Sequence, residues 1–432
     1  MMKRLIYPSP ADISQALTRP SEGAGDIDSS VRWVLSRVKT EGDFALREFS
    51  QEFDGCAPDS FRVDETSIQE AEKQVPEELK EAMRAALAGI TAFHSAQLQE
   101  SGAVETTEGV RCWSREVAIE KVGLYIPGGT APLFSTVMML AVPARLAGCR
   151  NIILCTPPGK EGNVNPLILY AASLCGVTAV YKIGGAQAIA AMAYGTETVP
   201  AVYKIFGPGN RYVTRAKELV QLEGIAIDMP AGPSELLVIA DDNANPAFVA
   251  ADLISQAEHG TDSQVIMLTD SKTMMEKVQI EVEEQVLKIA RSVIAGKSLA
   301  NSSLILLRDI DECLKVSNQY APEHLIIATS DPYAHASAVV NAGSVFLGNY
   351  SSESTGDYMT GPNHTLPTSG YARVLSGLNT GSFMKRIFFQ EVTGRGIKNI
   401  GPATELLATA EMLEGHRNAV SVRLKYLSDE QN

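Results

Sequence analysis

Four places in this sequence hold side chains whose types and spacing could do chemistry. The first is a helix opened by Asn245 and Pro246, residues favoured at an N-cap and a first turn. Along it Asp252, Gln256 and His259 recur at i, i+4 and i+7, so they share one face among apolar neighbours. Such a stripe reads either as a hydrogen-bonded seam, with His259 favoured by the negative end of the helix dipole, or as a ligand set for a metal or polar substrate. The second place is Ala321-Pro322-Glu323-His324-Leu325 at the entrance to a strand. An acid beside an imidazole can divide two proton transfers, because their ordinary pKa values bracket mildly acidic to neutral pH; ordinary strand-start polarity is the simpler reading. The third is residues 348–370, dense in Ser, Gly, Thr and Pro and carrying Glu353, Asp357, Tyr358 and His364. A long stretch without apolar period is expected to be a functional or mobile loop, with Asp357 either a carboxylate ligand or a turn cap. The fourth is the tail, where Glu411 is followed by His416; alone, such a histidine reads as a surface residue.

Three glycine turns each join a strand to a helix: Pro127-Gly128-Gly129, Gly184-Gly185-Ala186-Gln187 and Gly207-Pro208-Gly209-Asn210. Turns of this kind let backbone approach a phosphate at a helix N-terminus. None completes G-x-G-x-x-G, and no P-loop, G-x-S-x-G or H-E-x-x-H is present. Singly they are tight βα turns; three together lean toward a nucleotide.

Composition narrows the class. The chain has 432 residues, 45% of them hydrophobic, and its 37 Lys+Arg against 51 Asp+Glu leave a net charge of −14. That charge is wrong for a protein that neutralises phosphates, and the apolar fraction is too high for a disordered acidic protein. The six cysteines form no C-x-x-C pair, and Cys155 sits among apolar neighbours, so they read as small core residues in a reducing, cytoplasmic compartment. The start, Met1-Met2-Lys3-Arg4-Leu5-Ile6-Tyr7-Pro8, turns polar before a signal-peptide core develops, and residues 131–146 carry Ser135, Thr136, Pro143 and Arg145, which is short of a membrane span.

These candidates need a scaffold, and the middle of the chain supplies one. Strands are expected at 122–126, 152–154, 179–183 and 203–206, then at 236–239, 265–268, 304–307, 325–327 and 344–347, with amphipathic helices between. Alternating strands and helices imply βαβ units and parallel sheets. The expected fold is therefore α/β, with two Rossmann-like, incompletely doubly wound domains. Residues 29–52 and the chain from Met384 onward are expected to be mainly helical, and such end pieces commonly pack on a partner subunit.

Long stretches of the sequence resemble one family, histidinol dehydrogenase. They are Val122-Gly123-Leu124-Tyr125-Ile126-Pro127-Gly128-Gly129, Gly184-Gly185-Ala186-Gln187-Ala188, Phe206-Gly207-Pro208-Gly209-Asn210 and Ile227-Asp228-Met229-Pro230-Ala231-Gly232-Pro233-Ser234-Glu235. Further along come Ser255-Gln256-Ala257-Glu258-His259-Gly260, Tyr320-Ala321-Pro322-Glu323-His324-Leu325, Gly343-Ser344-Val345-Phe346-Leu347-Gly348 and His416-Arg417-Asn418-Ala419-Val420. The likeness runs over residues 31–422 in the family's order. It implies one Zn²⁺ per site, held by Gln256, His259, Asp357 and His416, with His416 and Glu411 reaching the neighbouring subunit's site in a homodimer. It implies substrate contacts from Ser234, Gln256, His259, His324, Asp357, Glu411 and His416, and NAD contacts from Tyr125, Gln187 and Asn210.

The activity implied is oxidation of L-histidinol to L-histidine by two NAD through bound L-histidinaldehyde, the last step of histidine biosynthesis. His324 would be the general base and Glu323 would activate the water that hydrates the aldehyde, the cysteines taking no covalent part. The domains implied are an N-terminal arm (1–24), a zinc and substrate domain (25–128 with 235–380), an NAD domain (129–234) and a helical tail on the partner (381–432). Small helical dimerisation segments would thus stand at both ends, with no nucleic-acid or membrane partner. His94 and His335 read as surface or structural residues, and His364 is compatible with either role. A related zinc- and NAD-dependent dehydrogenase of another small polar alcohol is the neighbouring reading; a non-enzymatic metal-binding scaffold is the distant one.

Overall fold

Runs such as Leu236-Leu237-Val238-Ile239 carry apolar side chains at every position, the pattern of strands covered on both faces. In the computed structural model, which describes residues 2–20, 27–98, 102–128, 131–230 and 232–429, such runs become strands of parallel sheets. In chain order the strands are β1 (Lys3–Ile6), β2 (Val104–Thr107), β3 (Val110–Ala118), β4 (Lys121–Tyr125), β5 (Asn151–Thr156), β6 (Ala179–Lys182) and β7 (Lys204–Phe206). There follow β8 (Ala226–Ile227), β9 (Glu235–Ala240), β10 (Gln264–Thr269), β11 (Ser303–Leu306), β12 (His324–Ala328), β13 (Ser344–Leu347) and β14 (Met384–Val392). The chain divides into two compact units: Met1–Ala96 with Ile119–Phe383, and Gln97–Ala118 with Met384–Asn432.

The first unit holds two parallel sheets, ordered β6-β5-β4-β7-β8 and β1-β11-β10-β9-β12-β13. Counted from β4 in the smaller sheet and from β9 in the larger, with β1 set aside, each runs 3-2-1-4-5, the doubly wound order without its sixth strand. The larger sheet gains an edge from the N-terminal residues, with Lys3–Ile6 paired to Ser303–Leu306. Its two faces are covered separately. Leu236 and Val238 pack with Val249 and Leu253, while Leu237 and Ile239 pack with Leu314 and Tyr320. The fold class is α/β with Rossmann-like sheets. Among the described residues no helix is long and apolar enough to cross a membrane.

The second unit is an antiparallel sheet, β14-β3-β2, with two helices, Gly394–Ala410 and Glu414–Asp429. The tail is mainly helical, as the sequence leads one to expect, but it opens with a strand the sequence does not announce: Met384–Val392 pairs residue for residue with Val110–Ala118. Ile387, Phe388, Phe389 and Val392 favour strand, and Phe389 stacks on Trp113 at 5.4 Å between ring centroids. A partner that far away in the chain leaves no local periodicity to read. The 348–370 stretch is also not all loop. It holds the helix Glu353–Tyr358, whose N-cap Ser352 accepts a hydrogen bond from the Thr355 N–H at 3.3 Å.

Candidate active site

Glu235 opens β9 and His324 opens β12, side by side at the amino edge of the larger sheet. His324 is buried, and its Nδ1 lies 3.2 Å from the Glu235 carbonyl oxygen. A carbonyl can only accept, so Nδ1 carries the hydrogen. That leaves Nε2, which is buried, has no hydrogen-bond partner among the described residues and stands 4.0 Å from Asp357 Oδ1. Glu323 is held through Oε2, which accepts the Glu235 N–H at 2.9 Å and lies 3.6 Å from His324 Nδ1. Burial opposes charge on His324, but the carboxylates of Glu323, Glu353 and Asp357 outweigh it and push the imidazole up to about 10.

The helix Pro246–Ala257 follows β9 and is capped by Asn245, whose Oδ1 accepts the Ala247 N–H at 3.0 Å. It returns toward the edge where β9 began, which brings Gln256 within 3.5 Å of His324 Nδ1 and of Glu323 Oε2. Just beyond it, His259 meets the helix Glu353–Tyr358. Glu353 and Asp357, at i and i+4, present one face, and one donor atom from each of His259, Glu353 and Asp357 lies within 4.8 Å of the others.

Glu353 is buried, its Oε2 has no hydrogen-bond partner among the described residues, and burial raises its carboxyl well above the ordinary range. The Gln256 amide either presents its oxygen to this carboxylate, acceptor to acceptor, or turns over so that its nitrogen donates to Glu353 and its oxygen accepts the Glu235 N–H at 3.1 Å. The first orientation is what a cation between the two oxygens would require. A carboxylate pair, an imidazole and an amide oxygen make a fitting set for a divalent cation. Asp252, one turn before Gln256, is lifted by burial to about 7.

Of the residues singled out from sequence, Glu323, His324, Gln256, His259 and Asp357 thus come together. Ser234 precedes Glu235 and accepts the Gln264 N–H through its carbonyl at 3.1 Å. Glu411 and His416 belong to the second unit and are exposed. In the sequence Glu353 stands only as one acid in the Ser- and Gly-rich stretch 348–370. The signal that could have promoted it is its i, i+4 spacing to Asp357, which means nothing until the segment is known to be helical. His364 supports Asp357, with Nδ1 3.1 Å from the Asp357 carbonyl and Nε2 3.2 Å from Thr136 Oγ1, and burial lowers its pKa. With His324 and Asp357 it lines a cavity of about 450 Å³. His94 is buried against Phe93, and His335 Nδ1 lies 2.9 Å from Thr329 Oγ1.

A second concave region lies at the carboxyl ends of β4, β6 and β7, where a doubly wound sheet offers its ligand crevice. The hydroxyl of Tyr125, last residue of β4, accepts the Gly185 N–H at 3.0 Å. Gly207 has φ +123, and a Cβ there would lie 2.1 Å from the Tyr125 backbone carbonyl oxygen, so only glycine fits. Beneath the turn is a buried ion pair, Lys217 with Asp228: Lys217 Nζ donates to the Gly207 carbonyl at 2.9 Å, and Asp228 accepts the Gly207 N–H at 2.7 Å.

Asn210 caps the helix Arg211–Leu222, accepting from the Tyr212 and Val213 N–H groups at 3.0 and 3.1 Å. Gln187 is buried, and its amide nitrogen has no hydrogen-bond partner among the described residues. Tyr125, Gly128, Gly185 and Asn210 line a cavity of about 820 Å³, and Gln187 lines an adjoining one of about 740 Å³ that shares Gly185 and Asn210. Asp54, which the sequence did not flag, also lines the larger cavity and is raised by burial to about 6. Gly129 and Ala231 of the sequence motifs lie outside the described residues.

Comparison with known proteins converges on one family. The profile of the family described as histidinol dehydrogenase matches residues 17–424. A protein named histidinol dehydrogenase from Bacteroides thetaiotaomicron is 55% identical over 427 residues, covering 99% of this chain and 100% of its own. One from Xanthomonas euvesicatoria is 52% identical over 413 residues, covering 95% and 96%. The crystal structure of histidinol dehydrogenase from Elizabethkingia anophelis superposes with a TM-score of 0.97 at 51% identity, over 99% of each chain. The chain belongs to the histidinol dehydrogenase family.

Proposed function

We propose that this chain oxidises L-histidinol to L-histidine through bound L-histidinaldehyde, using two NAD and a zinc ion. The observation that carries the reading is the meeting of a buried acid–imidazole pair, Glu323–His324, with a cation-fitting set around His259, Glu353 and Asp357. Gln256, His259 and Asp357 would hold zinc, His416 of a second subunit would complete the set, and Glu353 stands beside it. A bound cation would supply Lewis acidity and a positive field; NAD would supply the hydride acceptor.

The rest falls to the chain's own groups. His324, held by the Glu235 carbonyl, offers Nε2 to take the hydroxyl proton as the carbinol carbon gives up its hydride. Glu323, fixed by the Glu235 N–H through one oxygen, keeps the other to deprotonate a water adding to the aldehyde carbon. The resulting hydrate loses a second hydride to NAD and two protons, leaving the carboxylate. Ser234, Gln256, His259, His324, Asp357, Glu411 and His416 would orient the substrate. Tyr125, Gln187 and Asn210 would line the NAD site, a reading supported by the orphaned Gln187 amide and by a Gly128 whose Cβ would meet Pro157 at 2.3 Å.

The division of labour proposed is metal and substrate on the larger sheet with residues 235–380, NAD on the sheet β6-β5-β4-β7-β8, whose strand β4 ends in Tyr125, an N-terminal arm over 1–24, and a tail over 381–432 serving a homodimer. Exposed Leu406, Leu407, Met412 and Leu413, flanking Glu411, support a covered tail. Cysteines that are free throughout support a reducing cytoplasm. The test is NADH absorbance with L-histidinol and with other small alcohols, each with and without chelator. Turnover confined to L-histidinol and lost with chelator is expected; faster turnover of another alcohol would hand the reading to the neighbouring dehydrogenase.

A further inference from the structure

Both members of the catalytic pair are held by the backbone of one residue, Glu235, and that residue is itself held. Its buried carboxylate takes a two-pronged contact from Arg19, with Nε to Oε1 at 2.5 Å and Nη2 to Oε2 at 2.8 Å, and accepts the Ser369 N–H at 2.7 Å. Arg19 also donates to the Tyr320 carbonyl at 2.9 Å and lies 4.1 Å from the centre of the Tyr320 ring. The next residue, Ala321, sits at φ +56, a left-handed conformation that a side chain disfavours, directly before Pro322, Glu323 and His324. Gln264 fixes the arm beside Arg19, donating to the Thr18 carbonyl at 3.1 Å and accepting the Tyr320 hydroxyl at 2.9 Å.

One guanidinium therefore brackets the start of β9, the strained turn into β12 and the loop at Ser369. We propose that Arg19 is a positioning residue for the oxidation, keeping Glu323 and His324 in register through Glu235 and the 320–321 turn. The inference rests on the reading of Glu323–His324 as the reacting pair. It makes the N-terminal arm part of the active site's support rather than only a packing segment. A planar, two-pronged donor is what the arrangement uses, and Lys supplies only a point charge.

The test compares Arg19→Ala and Arg19→Lys with the parent enzyme, metal-loaded, at a temperature where all are folded by circular dichroism. Displacing a catalytic group by about an ångström costs on the order of a hundredfold, so kcat is expected to fall about 10- to 100-fold in Arg19→Ala and less in Arg19→Lys. KM for L-histidinol and NAD and the metal content are expected to hold. Added guanidinium ion should restore part of the kcat of Arg19→Ala. A kcat within about twofold of the parent in a folded variant would overturn the proposal, as would guanidinium that raises thermal stability without raising kcat. If Arg19→Ala does not fold, Arg19→Lys decides by the same kcat criterion. A parent enzyme that fails to oxidise L-histidinol would instead defeat the underlying reading.

Discussion

At His324 two requirements collide. The proposed general base must be neutral, yet the carboxylates of Glu323, Glu353 and Asp357 push this buried imidazole up to about 10. A cation drawn to Glu353 and Asp357 offsets the field that keeps the proton on, which links metal content to the availability of the base. In metal-free protein the raised pKa has a signed consequence for stability. The imidazolium's contribution is fully present below about 6.5 and is lost as pH rises toward about 10. The melting temperature of chelated enzyme should therefore fall more steeply across that window than that of chelated His324→Gln; parallel curves would refute the coupling. His324→Ala should slow both oxidations by about 10²- to 10⁴-fold, whereas Glu323→Gln should mainly slow the aldehyde step, and equal loss of both steps in Glu323→Gln would sink the division of roles. At this scale the sequence was informative where chemistry is local. The Asp252–Gln256–His259 stripe and the Glu323–His324 pair could be read directly, but Glu353 could not, because its value depends on a helix hidden in a Ser/Gly-rich stretch.

Among the elements, the two sheets place their sites at opposite ends. The turns after β4, β6 and β7 are at carboxyl ends, where the doubly wound order predicts a ligand, and the strand–glycine–helix pattern made them legible. The Glu323–His324 site is at amino ends, reached because the Pro246–Ala257 helix returns along the sheet; only its capping signals and its polar stripe hinted at this. The β14–β3 pairing could not be read, since its stabilisation comes from cross-strand contacts between distant segments. The buried pair Lys217–Asp228 is the element-scale support of the Gly207 turn. Lys217→Met strands a buried carboxylate, and breaking such a pair costs about 3–5 kcal/mol. The variant should unfold at markedly lower denaturant and bind NAD more weakly in calorimetry. Unchanged NAD affinity in folded Lys217→Met would separate that turn from the nucleotide.

For the whole molecule, the charge of −14 excluded a phosphate-neutralising role but gave no hint of a cation site, because acidic surface is spread widely while ligands are few and scattered. The scatter is also why the proposed ligand set escaped any motif: Gln256 and His259 stand at the end of one helix, Asp357 on another about a hundred residues on, and His416 in the other compact unit. If the tail completes a neighbour's site, mixing two inactive variants, His324→Ala and His416→Ala, should regenerate one intact site in each mixed dimer. Random exchange would then restore about a quarter of parental activity. No recovery after verified exchange would place the tail in its own subunit's site. The central claim is that one site carries out both oxidations, and NADH yield at limiting L-histidinol tests it most directly. Two NADH are expected for each L-histidinol consumed, with L-histidine as product and no yield in the presence of chelator. A yield of one with free aldehyde accumulating, or a full yield from metal-free enzyme, would contradict it.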